Sequence, residues 1–225
     1  CLPYRYRSKT LKKKLFDVPH HHFVMGMPDL LWPMLLENRT LWKVIMDGAI
    51  KAINDVLSHC FRSPIQAGAI VVLHPFGRDI GFKPHVHVIL TEGGFDRKGK
   101  FRPKKFIPAR SMRRTWQYQV LTRLKSALPN TPEMSKFINM LFKKYNEGFY
   151  VYLPKESRVN KPGKIARYVA RYVRHPAIAN FRLYYYDGEK VVFWYQDHDG
   201  NMFYVDMFVE DFIYSVIGHI PDRQF

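Results

Sequence analysis

Apolar positions return along the chain with two periods, and the switches between them mark the expected elements. Residues 18–28 (VPHHHFVMGMP) form an apolar run bounded by prolines, which predicts a strand. Between 29 and 61, Leu41, Val44, Ile45, Ala49, Ala52, Ile53, Val56 and Leu57 recur near a 3.6-residue spacing, predicting one or two helices. The β-branched run 66–76 (QAGAIVVLHPF) reads as a buried strand. Gly77 to Lys83 holds two glycines and stops before Pro84, so it reads as a turn. Residues 85–91 (HVHVILT) alternate with period two and form the next strand, closed by Glu92-Gly93-Gly94. The two strands are expected to pair as an antiparallel hairpin.

Further along, helices are expected from about Ser111 to Leu128, over 132–147, and from Lys164 to Arg174, where Pro176 stops the last. A short strand is expected at 149–154. Three strand-like runs occupy 178–206, with turns at Asp187-Gly188 and Asp199-Gly200, and a closing amphipathic helix runs over 206–218. Helices and strands interleave, but hairpins join several of the strands. The expected class is therefore α+β, with a mainly antiparallel central sheet flanked by helices, rather than a doubly wound parallel sheet.

Charge changes the picture. The 225 residues hold 36 Lys and Arg against 19 Asp and Glu, a net charge of +17. At 47% hydrophobic and 16% aromatic, the composition excludes a disordered chain. So much positive charge calls for an anionic counterpart, nucleic acid or membrane. The apolar run Ala69 to Leu73 falls far short of the ~20 residues that span a bilayer, and the first residues show no signal core. Cys1 and Cys60 are too few for a disulfide framework, which makes a reducing cytoplasm the expected compartment. The chain begins at Cys1 rather than Met, so a fragment is expected. Residues 1–16 carry six basic residues and no acid, a basic lead-in expected to be helical.

The basic residues cluster. Residues 97–125 hold eleven Lys or Arg and no acid, interleaved with Phe101, Phe106, Trp116 and Tyr118. Arg113 and Arg114 stand in this cluster beside Trp116. Residues 155–174 hold seven basic residues against Glu156 alone. Basic grooves with aromatic platforms bind single strands by phosphate pairing and base stacking. A solvated charged face is the plainer alternative.

Three groups of residues could carry chemistry. His85 and His87 flank Val86, so on a strand they share one face while Val86, Val88 and Leu90 point into a core. Two neutral imidazoles so placed can share a divalent cation, or can simply line a solvent face. His74, near the end of the preceding strand, and Asp79, in the turn, compete as third ligand; each has an ordinary structural reading as well. Tyr168 and Tyr172 stand at i and i+4 in KIARYVARYV, one helical face among Arg167, Arg171 and Arg174. They can equally rest on a sheet as core residues. In His20-His21-His22, the outer two would face one way and His21 the other.

Taken in order, VVLHPFGRDIGFKPHVHVIL, then IARYVARYVRHPAIANFRL, then FIYSVIGHIPDRQF resemble the HUH superfamily of single-strand endonucleases. The nearer resemblance is to two-tyrosine rolling-circle transposases of the insertion sequence 91 group, whose first strand VPHHHFVMGMP also looks like. The resemblance implies a palm-like HUH fold over 18–225, preceded by the lead-in 1–17 in place of a cysteine-rich zinc module of which only Cys1 could remain. It implies His85 and His87 as paired ligands for Mg²⁺ or Mn²⁺, with His74 as third, and Tyr168 and Tyr172 as nucleophiles forming 5′-phosphotyrosine links. Lys164, Arg167 and Arg171 would neutralise the DNA backbone. The implied function is nicking and rejoining of single-stranded DNA, at transposon ends and hairpins, in a prokaryotic cytoplasm at the nucleoid. Two other classes are a non-catalytic basic binder of single-stranded DNA or RNA, and a metal-dependent hydrolase that uses water.

Overall fold

The structure is a computed structural model that describes residues 15–105, 107–153, 158–159, 177–197 and 199–219. It is mixed α+β with antiparallel sheets, as expected. The chain divides into two units. The first takes residues 1–73 and 85–171, and the second takes 74–84 and 172–225.

In the first unit, strand β1 (His20–Gly26) lies between β3 (Phe82–Phe95) on one side and β5 (Val151–Tyr152) with β6 (Arg158–Val159) on the other. The sheet order is β2-β3-β1-β5, with β2 at Gln66–Phe76 and β4 (Phe101–Pro103) pairing with β3. In β1 and β3, Phe23, Met25, Val86, Val88 and Leu90 are completely buried. Register places Phe23 opposite Val88 and Met25 opposite Val86, so the apolar residues of both strands share one face.

Two differences from the sequence reading concern the hairpin. Strand β2 is only half-buried along most of its length, because β-branched composition reports strand preference rather than depth. Gly93-Gly94 does not end β3; the strand runs on to Phe95. Gly93 has φ +136°, and a Cβ there would stand 2.1 Å from the Arg102 carbonyl oxygen. The glycine marks close approach of β4, not a stop.

Helices α1 (Trp32–Glu37) and α2 (Thr40–Phe61) follow a 3₁₀ turn at Asp29–Leu31. Of the periodic residues of α2, Leu41, Ile45, Ala49, Ala52, Ile53, Val56 and Leu57 are buried as expected, while Val44 is half-buried. Helix α3 (Ala109–Ala127) meets α2 where Gly48 faces Trp116 and Arg123. Helix α4 (Pro132–Lys144) starts at Thr131, whose hydroxyl accepts from Met134 N–H at 3.1 Å, with Pro132 in the first turn where its missing N–H costs nothing.

In the second unit, β7 (Leu183–Tyr186), β8 (Lys190–Gln196) and β9 (Met202–Phe208) form an antiparallel meander followed by α5 (Val209–Gly218). The turns fall at Asp187-Gly188 and Asp199-Gly200, where both glycines have positive φ. Val191 and Phe193 form its buried centre, and Phe193 meets Phe212 of α5 at 5.9 Å. The hairpin tip belongs here: Arg78 donates to the carbonyls of Gln196 at 2.7 Å and Asp197 at 2.8 Å.

Candidate metal centre and its surroundings

Alternation along β3 decides what His85 and His87 can do. With Val86 and Val88 committed to the core, the two imidazoles project from the opposite face and stay half-buried. Their Nε2 atoms stand 3.1 Å apart. His74, on the other strand of the hairpin, completes the set: one nitrogen from each of His74, His85 and His87 lies within 4.8 Å of the others. Two nitrogens each about 2.1 Å from one ion, at a right angle, would stand about 3.0 Å apart, so the His85–His87 spacing fits a shared ion. Three imidazoles are donors that first-row transition ions take readily. These three residues could hold a metal.

Behind His87 stands a histidine that sequence reasoning placed on the right face but gave no role. Val24 is opposite His87, which makes His22 its diagonal neighbour across the β1–β3 pair. His22 Nε2 lies 2.9 Å from His87 Nδ1, and the two rings are within 10° of parallel. Burial lowers the His22 pKa to about 4, so this imidazole is neutral. The signal was in the sequence: period two puts His20 and His22 on one face of a strand.

His21 faces the other way, as alternation requires. Its Nε2 is 2.9 Å from the Glu92 carboxylate, which also accepts from Arg158 at 2.6 Å and 3.3 Å. Glu92 is buried in β3, and Arg158 sits opposite His21 on β6. Burial alone would raise the Glu92 pKa, but Arg158 and His21 more than reverse this and hold it below its ordinary value. The sequence reading took Glu92 only as part of a strand end and so missed this network.

The other expected site residues fall in different places. Asp79 caps its own turn, accepting from Gly81 N–H at 3.3 Å and pairing with Lys83. It is not one of the residues grouped with His85 and His87. Trp116 corrects an expectation: it is fully buried, and its indole N–H donates to Gly26 O at 2.7 Å, so it offers no face to a base. An amphipathic helix turns its largest apolar side chain inward whatever the charge around it. Arg113 and Arg114 are exposed on α3, Arg114 pairing with Glu147 at 3.3 Å. Of the aromatic residues interleaved with the basic cluster, Phe101 is half-buried against Phe95, Tyr118 is exposed, and Phe106 lies outside the described residues. Tyr168, Tyr172, Lys164, Arg167 and Arg171 also lie outside the described residues, as do residues 1–14 of the lead-in. Among the described residues no helix is long and apolar enough to cross a membrane.

Comparison with known proteins adds what geometry does not. The model of the Y2_Tnp family, described as "Putative transposase", matches residues 68–225. The chain is 28% identical over 225 residues to the transposase for insertion sequence element IS801 of Pseudomonas savastanoi pv. phaseolicola, covering 94% of this chain and 53% of that protein. It is 21% identical over 231 residues to a protein of Sinorhizobium fredii (strain NBRC 101917 / NGR234) named "Putative transposase y4qJ", covering 95% of this chain and 58% of that one. The chain thus spans a little over half the length of these curated relatives. No solved structure matches.

Proposed function

Because the chain belongs to the Y2_Tnp transposase family, we propose that it is the catalytic part of a two-tyrosine HUH transposase of the insertion sequence 91 group, with residues 18–225 as the catalytic region and 1–17 as a basic lead-in. It nicks and rejoins single-stranded DNA through tyrosine. The observation that carries this reading is the convergence of His74, His85 and His87 nitrogens within 4.8 Å, in a chain of that family.

The histidines hold a divalent cation, Mg²⁺ or Mn²⁺, the nitrogen donors favouring Mn²⁺. When bound, it withdraws charge from the scissile phosphate. Tyr168 or Tyr172 supplies the attacking phenol oxygen. The new O–P bond forms as the bond from phosphorus to the 3′ oxygen breaks, and the phenol proton passes by way of solvent to the departing oxygen. The 5′-phosphotyrosine ester retains the bond for a second 3′-hydroxyl to attack, so strands rejoin without a nucleotide cofactor. A free phenol with pKa near ~10 is only about one part in a thousand ionised at pH 7, which is why activation at phosphorus is needed. Lys164, Arg167 and Arg171, with the exposed Arg113 and Arg114, pair with backbone phosphates.

The test is an incubation with labelled single-stranded DNA hairpins and Mn²⁺, followed by a denaturing gel. A labelled band at protein mass, lost when Tyr168 and Tyr172 are both changed to Phe, supports the proposal. Cleavage without an adduct indicates a water-using hydrolase. Binding with neither indicates a basic single-strand binder.

A further inference from the structure

We propose that His22 is a positioning residue for His87: it takes a hydrogen bond from the His87 Nδ1 proton and so keeps the His87 Nε2 lone pair turned toward the metal position. This rests on the reading of His74, His85 and His87 as a metal centre.

The contact has the geometry such a role needs. The His22–His87 centroid distance is 5.1 Å, longer than the 2.9 Å nitrogen contact by about two ring radii, so the rings meet edge to edge in nearly one plane. That is where an imidazole lone pair points. His87 therefore uses its two nitrogens in opposite directions, Nδ1 toward His22 and Nε2 toward His85.

A neutral imidazole carries one proton. If His22 donated to Nδ1, the His87 proton would sit on Nε2, and that nitrogen could not ligate. If His22 accepts, the proton is fixed on Nδ1 and Nε2 is open. His22 Nε2 is already directed at His87 Nδ1, and His22 is not among the residues whose ligand nitrogens converge. Strand β1 pairs with β3 from His20 to Gly26, and on its other edge β6 pairs His20 and His21 while β5 pairs Val24 and Met25, the positions flanking His22 and Phe23, so the partner is held on a strand anchored on both edges. Such outer partners of ligating histidines raise ligand basicity and set ring orientation.

The test uses the full chain and Mn²⁺ alone, with free Mn²⁺ followed by electron paramagnetic resonance. His22→Phe should weaken Mn²⁺ binding about 10–100-fold. His22→Gln, whose amide oxygen can accept in place of Nε2, should recover most of that loss, and it keeps the test available should His22→Phe not fold. Imidazole ¹⁵N spectra of the metal-free protein should show the His87 proton on Nδ1 in wild type. If a folded His22→Phe binds as wild type does, if His22→Gln loses as much as His22→Phe, or if the His87 proton sits on Nε2, the proposal is overturned while the metal centre stands. If wild type does not bind Mn²⁺, or His85→Ala binds equally well, the metal centre itself fails and the proposal falls with it.

Discussion

Arg158 and Glu92 form a two-pronged ion pair, 2.6 Å and 3.3 Å, between the two strands that flank β1, and Arg158 stands only ten residues before Tyr168 in sequence. Glu92 is buried in β3, and Arg158 lies on β6, a two-residue strand that pairs with β1 beside His20 and His21. So short a strand has little area of its own to hold it. Among the described residues the ion pair, with His21 as third member, ties that segment to the sheet by charge-assisted hydrogen bonds.

Removing Arg158 leaves the buried Glu92 carboxylate with His21 as its side-chain partner among the described residues. Arg158→Ala should cost about 1–3 kcal/mol of unfolding free energy. The Glu92 pKa lies below its ordinary value in the folded protein, so its contribution is fully present above the unfolded-chain value of about 4.3 and is lost as pH falls through the lower folded value. Urea midpoints measured at stepped pH should drop in that acid range for wild type and should vary less for Glu92→Gln. Equal acid sensitivity in the two proteins would remove Glu92 from the account.

The crossing of α2 and α3 predicts an asymmetric response at Gly48. A Cβ there would meet the flexible Arg123 Cδ at 3.3 Å and the Trp116 ring at 3.7 Å. Gly48→Ala should be tolerated, because a gain of about 1 kcal/mol in helix propensity offsets a small adjustment of Arg123. Gly48→Leu pushes on a fully buried indole and should cost about 1–3 kcal/mol. Denaturant midpoints that are the same for Gly48→Leu and wild type would contradict this packing.

Asp79 and His74 are separable as third ligand. Asp79 is engaged with Lys83 and its own turn, so Asp79→Asn should leave Mn²⁺ affinity within about twofold and change stability by about 0–1 kcal/mol. His74→Ala should lose more affinity than an outer-partner substitution does, beyond about 100-fold. The reverse order in a Mn²⁺ titration would move the ligand into the turn.

Single-strand binding should be steeply salt-dependent. Each phosphate neutralised adds about 0.7 to the slope of log affinity against log salt. Arg113→Ala should lower that slope by about one contact's worth. Arg114→Ala should lower it less, because Glu147 already partners Arg114. A wild-type slope equivalent to fewer than about three contacts would show that the basic surface is not the binding site.

Local sequence sufficed wherever one face of an element was fixed by its own period. The strand at His20–Gly26, the alternation that turns Val86 and Val88 inward and His85 and His87 outward, the helices at 40–61 and 109–127, and the hairpin turns at Gly188 and Gly200 were all legible, because each depends on neighbours in sequence. Tertiary structure decided the contacts between elements. It made Trp116 a core residue among arginines, let β3 continue through Gly93 because β4 needs the space, and joined His22 to His87 and Glu92 to Arg158. A side chain's period says which way it points, but its partner depends on the register between strands and on the approach of distant segments, and no single stretch of chain encodes either.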